Sequence, residues 1–176
     1  MRSIILFTIL CFPVGSLAQS VSELYLAAPA DAISVPAVQR AANSSSEGDL
    51  LRFRVNDTTS GEMKLISRSG SKMLVGISTY DCDASDLQFW AVKGGKWIKT
   101  TPAVIKPLGK KDIVAILSTS PATVSELGKE IGIPFYYTFE IATDHLKLIA
   151  RKQTGCDVAG TVYNYSFDGK RYKIQK

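Results

Sequence analysis

His145 is the only histidine in the chain, so it is the one imidazole that could serve as a general base near neutral pH. Asp144 precedes it directly, but adjacent side chains on a strand point to opposite faces, so the pair does not form half of a catalytic triad. The chain has no Gly-x-Ser-x-Gly elbow and no phosphate-binding glycine loop. Carboxylates such as Glu62, Glu140 and Asp112 support hydrolysis only if the fold brings two of them together. We therefore predict no catalytic residues, and a small envelope hydrolase that uses carboxylates and His145 is the alternative.

The densest acidic segment is Asp81-Cys82-Asp83-Ala84-Ser85-Asp86, whose alternating carboxylates resemble the oxygen ligands of a calcium loop. A calcium loop also needs a glycine at its turn and a later bidentate glutamate, and this segment has neither. The single histidine excludes a zinc site built from several histidines. The sequence thus predicts a solvated turn here, with no metal site and no cofactor.

Cys82 and Cys156 stand 74 residues apart, and each is followed by an aspartate. The third cysteine, Cys11, lies in an apolar N-terminal stretch. If export removes that stretch, an even pair remains, which predicts a disulfide between Cys82 and Cys156. In the chain-entropy model, such a bond stabilises the fold by about 4 kcal/mol. The alternative is two free thiols at equivalent positions of a repeat.

The N-terminus has the order of a secretory signal peptide. An apolar run over residues 4–14 follows Arg2 and precedes the small-residue segment Ser16-Leu17-Ala18. We predict that residues 1–18 are a cleaved signal peptide and that the protein is periplasmic or extracellular. The run is shorter than the roughly 20 residues of a membrane-spanning helix, so no spanning segment is predicted. Lipid attachment at Cys11 is a further alternative, which the large apolar residues before it disfavour.

Basic residues concentrate in the C-terminal half of a chain whose net charge is +5. The candidate surface for an anionic ligand consists of Lys147, Arg151, Lys152, Arg171 and Lys173. On the last predicted strand, Arg171 and Lys173 alternate with Tyr172 and Ile174, which is also the pattern of an ordinary solvated face. The partner predicted for this surface is an anionic envelope component, either lipid or glycan. Residues 123–134 resemble the start of a helix-turn-helix, but an aromatic strand follows them, so no nucleic acid is predicted.

Two segments repeat one pattern around the two cysteines. At the offset of 74 residues, Leu74 aligns with Leu148, and after a one-residue slip Trp97 aligns with Tyr172. Each copy is predicted to be a three-stranded meander, and repeated units usually bury their apolar faces against one another. The predicted fold class is mainly β, with two pseudo-repeated antiparallel meanders packed as one domain and one or two short helices.

The chain has 176 residues with 45% hydrophobic content, which is enough for one sizeable core. We predict a signal peptide at 1–18, an N-terminal segment with a short helix at 19–48, and a single mainly-β domain at 49–176. The pseudo-repeats occupy about 62–100 and 135–176.

Finer elements follow from periodicity and turn residues. Pro36 is predicted to begin a short helix that runs through Ala42, and residues 43–48 are predicted to be a loop. Residues 112–117 fit either a strand or a short helix, and residues 123–131 are predicted to be helical. Aromatic residues on predicted strands should form the core and its rim: Phe53, Phe89, Trp90, Trp97, Phe135, Tyr137, Phe139, Tyr163, Tyr165, Phe167 and Tyr172.

The two meanders resemble small exported proteins of Bacteroidota-type bacteria that carry similar C…F…GKW patterns, over about residues 49–176. That group has no assigned activity, so the resemblance implies export and a β-repeat fold but transfers no functional residue. We expect an exported, non-catalytic binding or envelope-associated protein. The sequence specifies neither its ligand nor its oligomeric state.

Overall fold

The structure, a computed structural model, describes residues 19–82, 84–106, 108, 111–112, 135–151 and 156–175. Four predictions lie outside the described residues: the signal peptide at 1–18, the element at 112–117 beyond its first residue, the helix at 123–131, and the position of Lys152.

Sheet A is an antiparallel meander of six strands that follow one another in chain order. Its strands are β1 (Ser44–Glu47), β2 (Leu50–Arg54), β3 (Ser60–Ser69), β4 (Lys72–Tyr80), β5 (Ser85–Lys93) and β6 (Lys96–Lys99). The loop predicted at 43–48 is wrong, because β1 lies there and pairs with β2 through a tight turn at Gly48, whose φ is 58°. Its serine side chains are largely exposed on an edge strand, where backbone pairing does not need an apolar face.

Sheet B is a four-stranded antiparallel meander in the order β10-β9-β8-β7. Its strands are β7 (Phe135–Phe139), β8 (Leu146–Arg151), β9 (Val158–Phe167) and β10 (Tyr172–Ile174). A short helix, α2 (Thr101–Val104), follows sheet A in the connection that leads towards sheet B.

The two predicted repeats correspond strand for strand. Cys82 lies between β4 and β5, and Cys156 lies between β8 and β9. Val92 pairs with Trp97 across β5 and β6, and their repeat counterparts Phe167 and Tyr172 pair across β9 and β10. A disulfide joins the two cysteines, with their Cα atoms 4.9 Å apart. The predicted fold class and the predicted disulfide are therefore confirmed.

One face of sheet A is covered by the N-terminal segment. Ser20 and Glu23 form a capping box that starts helix α1 (Val21–Ala27), and the helix buries Leu24 and Tyr25 against the sheet. The Tyr25 ring lies 5.0 Å from that of Phe53. The helix predicted to run from Pro36 through Ala42 is replaced by a 3₁₀ turn at Ala37–Gln39.

Arg40 holds this covering segment together from inside. Its side chain is only 3% exposed and donates to the backbone carbonyls of Tyr25, Leu26, Ala28, Ile33 and Val35. Two of these carbonyls lie in the last turn of α1, where helix geometry supplies too few backbone donors. One guanidinium thus closes the helix and the loop that follows it.

The opposite face of sheet A packs against β7, the edge strand of sheet B. Gly76 of β4 leaves room for the Phe139 ring, since a Cβ on Gly76 would lie 2.5 Å from Phe139 Cζ. The backbone along this edge of sheet B is bound by side chains of sheet A. Ser78 Oγ donates to the Tyr137 carbonyl, and Lys64 Nζ donates to the Ile141 carbonyl.

All eleven aromatic residues predicted to form the core lie in one of the two buried clusters or pack against it. The sequence prediction missed Tyr25, which is 0% exposed.

Candidate functional site

A groove with a volume of about 610 Å³ lies between α2 and β10. We call it the α2–β10 groove. Its lining residues are Pro102, Ala103, Ile105, Lys106, Leu108, Asp112, Tyr165, Arg171, Tyr172, Lys173 and Ile174.

The floor of the groove is apolar and aromatic. Ile105, Tyr165 and Tyr172 are 5%, 3% and 4% exposed, and they belong to the core cluster between the sheets. Ile174, at 47% exposure, extends this apolar surface along β10. Of these residues only Ile174 is substantially open to water, and a mainly apolar lining with a few polar groups is the usual form of a small-molecule site.

Tyr172 is one of the two tyrosines of this floor, beside Tyr165. Its hydroxyl is buried and makes no hydrogen bond to the residues that the structure describes. Burial, and secondarily the charge of Asp144, raises the pKa of Tyr172 above the ordinary value of 10.0, so the phenol keeps its proton. A protonated phenol can donate a hydrogen bond, but this hydroxyl is buried beneath the groove and is not exposed to a ligand in it.

The rim of the groove is cationic. Lys106 and Arg171 are exposed, and neither is ion-paired with a carboxylate within the described ranges. Lys173 Nζ lies 2.7 Å from Asp168 Oδ2, so much of its charge is already compensated. Asp112 also lines the groove. Arg171 and Lys106 are therefore the groups best placed to meet an anion.

A hydrogen-bonded turn between β9 and β10 positions Arg171. Asp168 Oδ1 accepts hydrogen bonds from the backbone N–H groups of Lys170 and Arg171, both at 2.9 Å. Gly169 supplies the positive φ of 91° that the turn requires. The Lys173 ammonium and these two backbone donors hold the pKa of Asp168 well below its usual range. The turn thus stays formed wherever Asp168 is ionised.

The predicted anionic-ligand residues do not form one surface. Arg171 and Lys173 line the groove, whereas Lys147 lies on β8, outside the groove, and pairs with Glu140. Arg151 is only 6% exposed, with its guanidinium 4.5 Å from the centre of the Tyr136 ring.

His145 does gain an acidic partner, but the partner is Glu140. His145 Nδ1 lies 3.3 Å from Glu140 Oε2, and His145 Nε2 lies 3.3 Å from the side-chain nitrogen of Gln175. The hydroxyl of Thr143 donates to Glu140 rather than to the imidazole. Hydrogen bonds from Lys147 and Thr143 lower the pKa of Glu140 below 4.5. The group is a surface network with a positioned imidazole and no nucleophile hydrogen-bonded to it among these residues.

The acidic segment beside Cys82 forms a turn between β4 and β5. The Ala84 N–H donates to Asp81 Oδ1 at 2.7 Å, and the Asp81 N–H donates to the Ala84 carbonyl. In the described part of the chain, no group of three or more His, Cys, Asp or Glu side chains could hold a metal ion. None of the described helices is long and apolar enough to cross a membrane.

Two residues of the predicted anionic-ligand surface, Arg171 and Lys173, line the β10 side of the groove, and the sequence prediction named no residue on the α2 side. The alternation of Arg171 and Lys173 with aromatic and aliphatic residues marked β10 as a strand with two chemically different faces. Ile105, Lys106 and Leu108 follow the one-turn helix α2 and belong to no described helix or strand, so no periodic pattern marks them. Only the tertiary fold brings them beside β10.

The chain matches no protein-family model, no curated protein and no solved structure. The resemblance to small exported bacterial proteins therefore stays a prediction.

Proposed function

We propose that this chain is an exported, non-catalytic binding protein whose α2–β10 groove takes the hydrocarbon chain of an anionic lipid. The observation that carries the proposal is one groove with an apolar floor and a cationic rim. A ligand that matches both parts has an alkyl body and a single acidic head. This chemistry selects the lipid from the two anionic envelope components, lipid and glycan, that the sequence suggested.

The two parts of the groove contribute differently to binding. Each methylene group that the floor buries contributes about 0.8 kcal/mol, so a chain of several carbons supplies most of the affinity. An exposed cation such as Arg171 contributes only about 0–1 kcal/mol through charge alone. Arg171 and Lys106 therefore determine which head group is preferred. Ile105, Tyr172 and Ile174 contact the alkyl chain of the ligand.

Export is the second component of the proposal. A disulfide persists in oxidising compartments, so the Cys82–Cys156 bond supports a periplasmic or extracellular location. The predicted signal peptide at 1–18 also supports export. Intact-mass analysis of protein expressed from the full sequence should give a mature chain that begins at Gln19. A mature mass that still includes residues 1–18 would contradict export by cleavage.

Calorimetric titration with a ligand series tests the lipid assignment. Dodecanoate, below its micellar concentration, should bind with a negative heat-capacity change, dodecanol should bind more weakly, and acetate should give no measurable heat. Arg171→Gln should weaken dodecanoate while leaving dodecanol unchanged. Arg68→Gln is the matched control, because it removes an exposed arginine of β3 that does not line the groove. Equal binding of dodecanoate and dodecanol would overturn the role of the cationic rim.

The Glu140–His145 pair favours one alternative function, a small hydrolase. With Nδ1 hydrogen-bonded to Glu140, His145 Nε2 would be the basic atom, and it would activate water once the Gln175 amide that lies 3.3 Å from it moves away. A panel of chromogenic esters and glycosides tests this role. Turnover that is lost in both His145→Gln and Glu140→Gln, but kept in Arg171→Gln, would replace binding by hydrolysis as the function.

A further inference from the structure

A second concavity lies on sheet A, on the part of its face that sheet B leaves open. It has a volume of about 490 Å³ and is lined by two arginines, three serines, Asn43 and Tyr80, together with Ala42, Phe53 and Gly61. We call it the arginine cleft. The residues that carry the argument are Asn43, Ser45, Arg52, Arg54, Ser60 and Tyr80.

Strand register explains why these side chains share one face. Ser45 pairs with Arg52, and Arg54 pairs with Ser60, which in turn pairs with Tyr80. Residues directly opposite each other in a sheet point to the same side. Alternation along β2 sends Phe53 into the core on the other side, so both arginines of β2 project into the cleft.

A buried carboxylate, that of Glu62, positions the Arg52 side chain. Arg52 Nε lies 3.3 Å from Glu62 Oε1, and Glu62 is only 3% exposed. The other oxygen, Glu62 Oε2, accepts hydrogen bonds from Thr138 Oγ1 at 2.8 Å and from the Phe139 N–H at 2.9 Å. A guanidinium bound through Nε keeps its two terminal nitrogens for another partner. The side chain of Arg52 is 50% exposed, so these nitrogens are accessible to a ligand.

Arg54 stands two residues further along β2, about 7 Å away along the strand. It is exposed and makes no ion pair with any carboxylate of the described chain. Tyr80 closes one side of the cleft, and its ring centre lies 4.7 Å from that of Tyr136. Burial, followed by the charge of Glu62, raises the pKa of Tyr80 to about 12, so its hydroxyl remains a donor.

We propose that the arginine cleft binds an acidic sugar through its carboxylate, with Arg52 and Arg54 as the carboxylate receptors. Arginine pairs with carboxylates through two parallel hydrogen bonds, which gives orientation as well as attraction. Ser45, Ser60 and Asn43 offer the short hydroxyl and amide groups that hydroxyls of a sugar ring can bind. The cleft lacks the long apolar floor of the α2–β10 groove, so its ligand is a polar anion. This site is additional to the proposed lipid groove and does not depend on it.

Titration with oligogalacturonate, followed by NMR or calorimetry, tests the proposal. The tetramer should bind, its methyl-esterified form should bind at least about tenfold more weakly, and affinity for the tetramer should fall with salt. Arg54→Gln should weaken the tetramer by about tenfold or more, and Arg54→Lys should restore only part of that loss. Arg54 has no carboxylate partner among the described residues, so its replacement should leave the fold intact.

Two controls distinguish this site from the lipid groove and from a general anion site. Arg171→Gln, in the lipid groove, should bind the tetramer normally, and Arg54→Gln should bind dodecanoate normally. Inorganic phosphate at the same concentration should not displace the tetramer. Equal binding of tetramer and methyl ester, unchanged binding by Arg54→Gln, or full displacement by phosphate would each overturn the proposal.

Discussion

The backbone N–H of Phe139 donates a hydrogen bond to the buried carboxylate of Glu62, with the two atoms 2.9 Å apart. The carboxylate belongs to the face of sheet A, and the N–H belongs to the edge of sheet B. Ser78 and Lys64 bind neighbouring carbonyls along the same edge. An edge strand that would otherwise be open to another chain is thereby closed by side chains of its own domain.

Glu62→Ala should destabilise the fold by about 2–4 kcal/mol, because it leaves the Phe139 N–H and the Thr138 hydroxyl without their acceptor. Chemical denaturation measures the change in the free energy of unfolding. Glu47→Ala, at an exposed position of β1, is the control and should change stability by less than about 0.5 kcal/mol. Equal effects of the two substitutions would show that the carboxylate does not hold the sheets together.

Gly76→Ala should destabilise the fold by about 1–3 kcal/mol, because the new Cβ would overlap the Phe139 ring. Phe139→Leu replaces the ring with a smaller side chain and makes room for the methyl group. In a double-mutant cycle, the two substitutions together should therefore cost less than the sum of their separate costs. Simple additivity would contradict a direct contact between Gly76 and Phe139.

Arg40→Ala should destabilise the fold by about 3 kcal/mol or more, since five backbone carbonyls lose their donor. Arg40→Lys should recover little, because an ammonium group cannot reach carbonyls spread around a planar guanidinium. Arg68→Ala is the control, because Arg68 also binds the N-terminal segment but does so through one exposed bond to Gln19. Hydrogen exchange should show faster opening of α1 in Arg40→Ala. Full protection of α1 in that variant would refute the role of Arg40.

Stability should decrease as the pH falls below about 4.5, partly because of Glu140. Its hydrogen bond from Lys147 lowers its folded-state pKa beneath the ordinary value of 4.5. Folding therefore favours the ionised carboxylate, and this contribution is complete above 4.5 and lost as the pH falls through the folded pKa. Glu140→Gln and Lys147→Gln should each flatten the acid limb of a plot of unfolding free energy against pH. An unchanged limb in both variants would contradict the ion pair.

The strands and the disulfide could be predicted from the sequence because their signals are local or repeated. In β2, buried Leu51 and Phe53 alternate with exposed arginines, which is a local strand pattern, and the repeat placed Cys82 and Cys156 at equivalent connections. Helix α1 has a local signal as well, the capping-box spacing of Ser20 and Glu23, which the sequence prediction missed. In β1, by contrast, a serine-rich segment pairs because of its neighbour rather than its own propensity.

The positions of the site residues follow from the sequence only in part. Arg171 and Lys173 were named as candidates from their alternation on the last strand, and both line the α2–β10 groove, but nothing in the sequence placed Lys106 beside them. Arg151 has the pattern of a surface cation, and its burial against Tyr136 depends on a partner strand that local patterns do not reveal. Pairing between distant segments decides which charges become accessible, and the period of a single strand does not contain that information.

The most direct test of the lipid-binding account is to locate bound dodecanoate by intermolecular NOEs in isotope-labelled protein. The account predicts contacts from the alkyl protons to Ile105, Tyr172 and Ile174, and from the carbon next to the carboxylate to the side chain of Arg171. Contacts confined to other surfaces, or an absence of saturable binding below the micellar concentration, would contradict it.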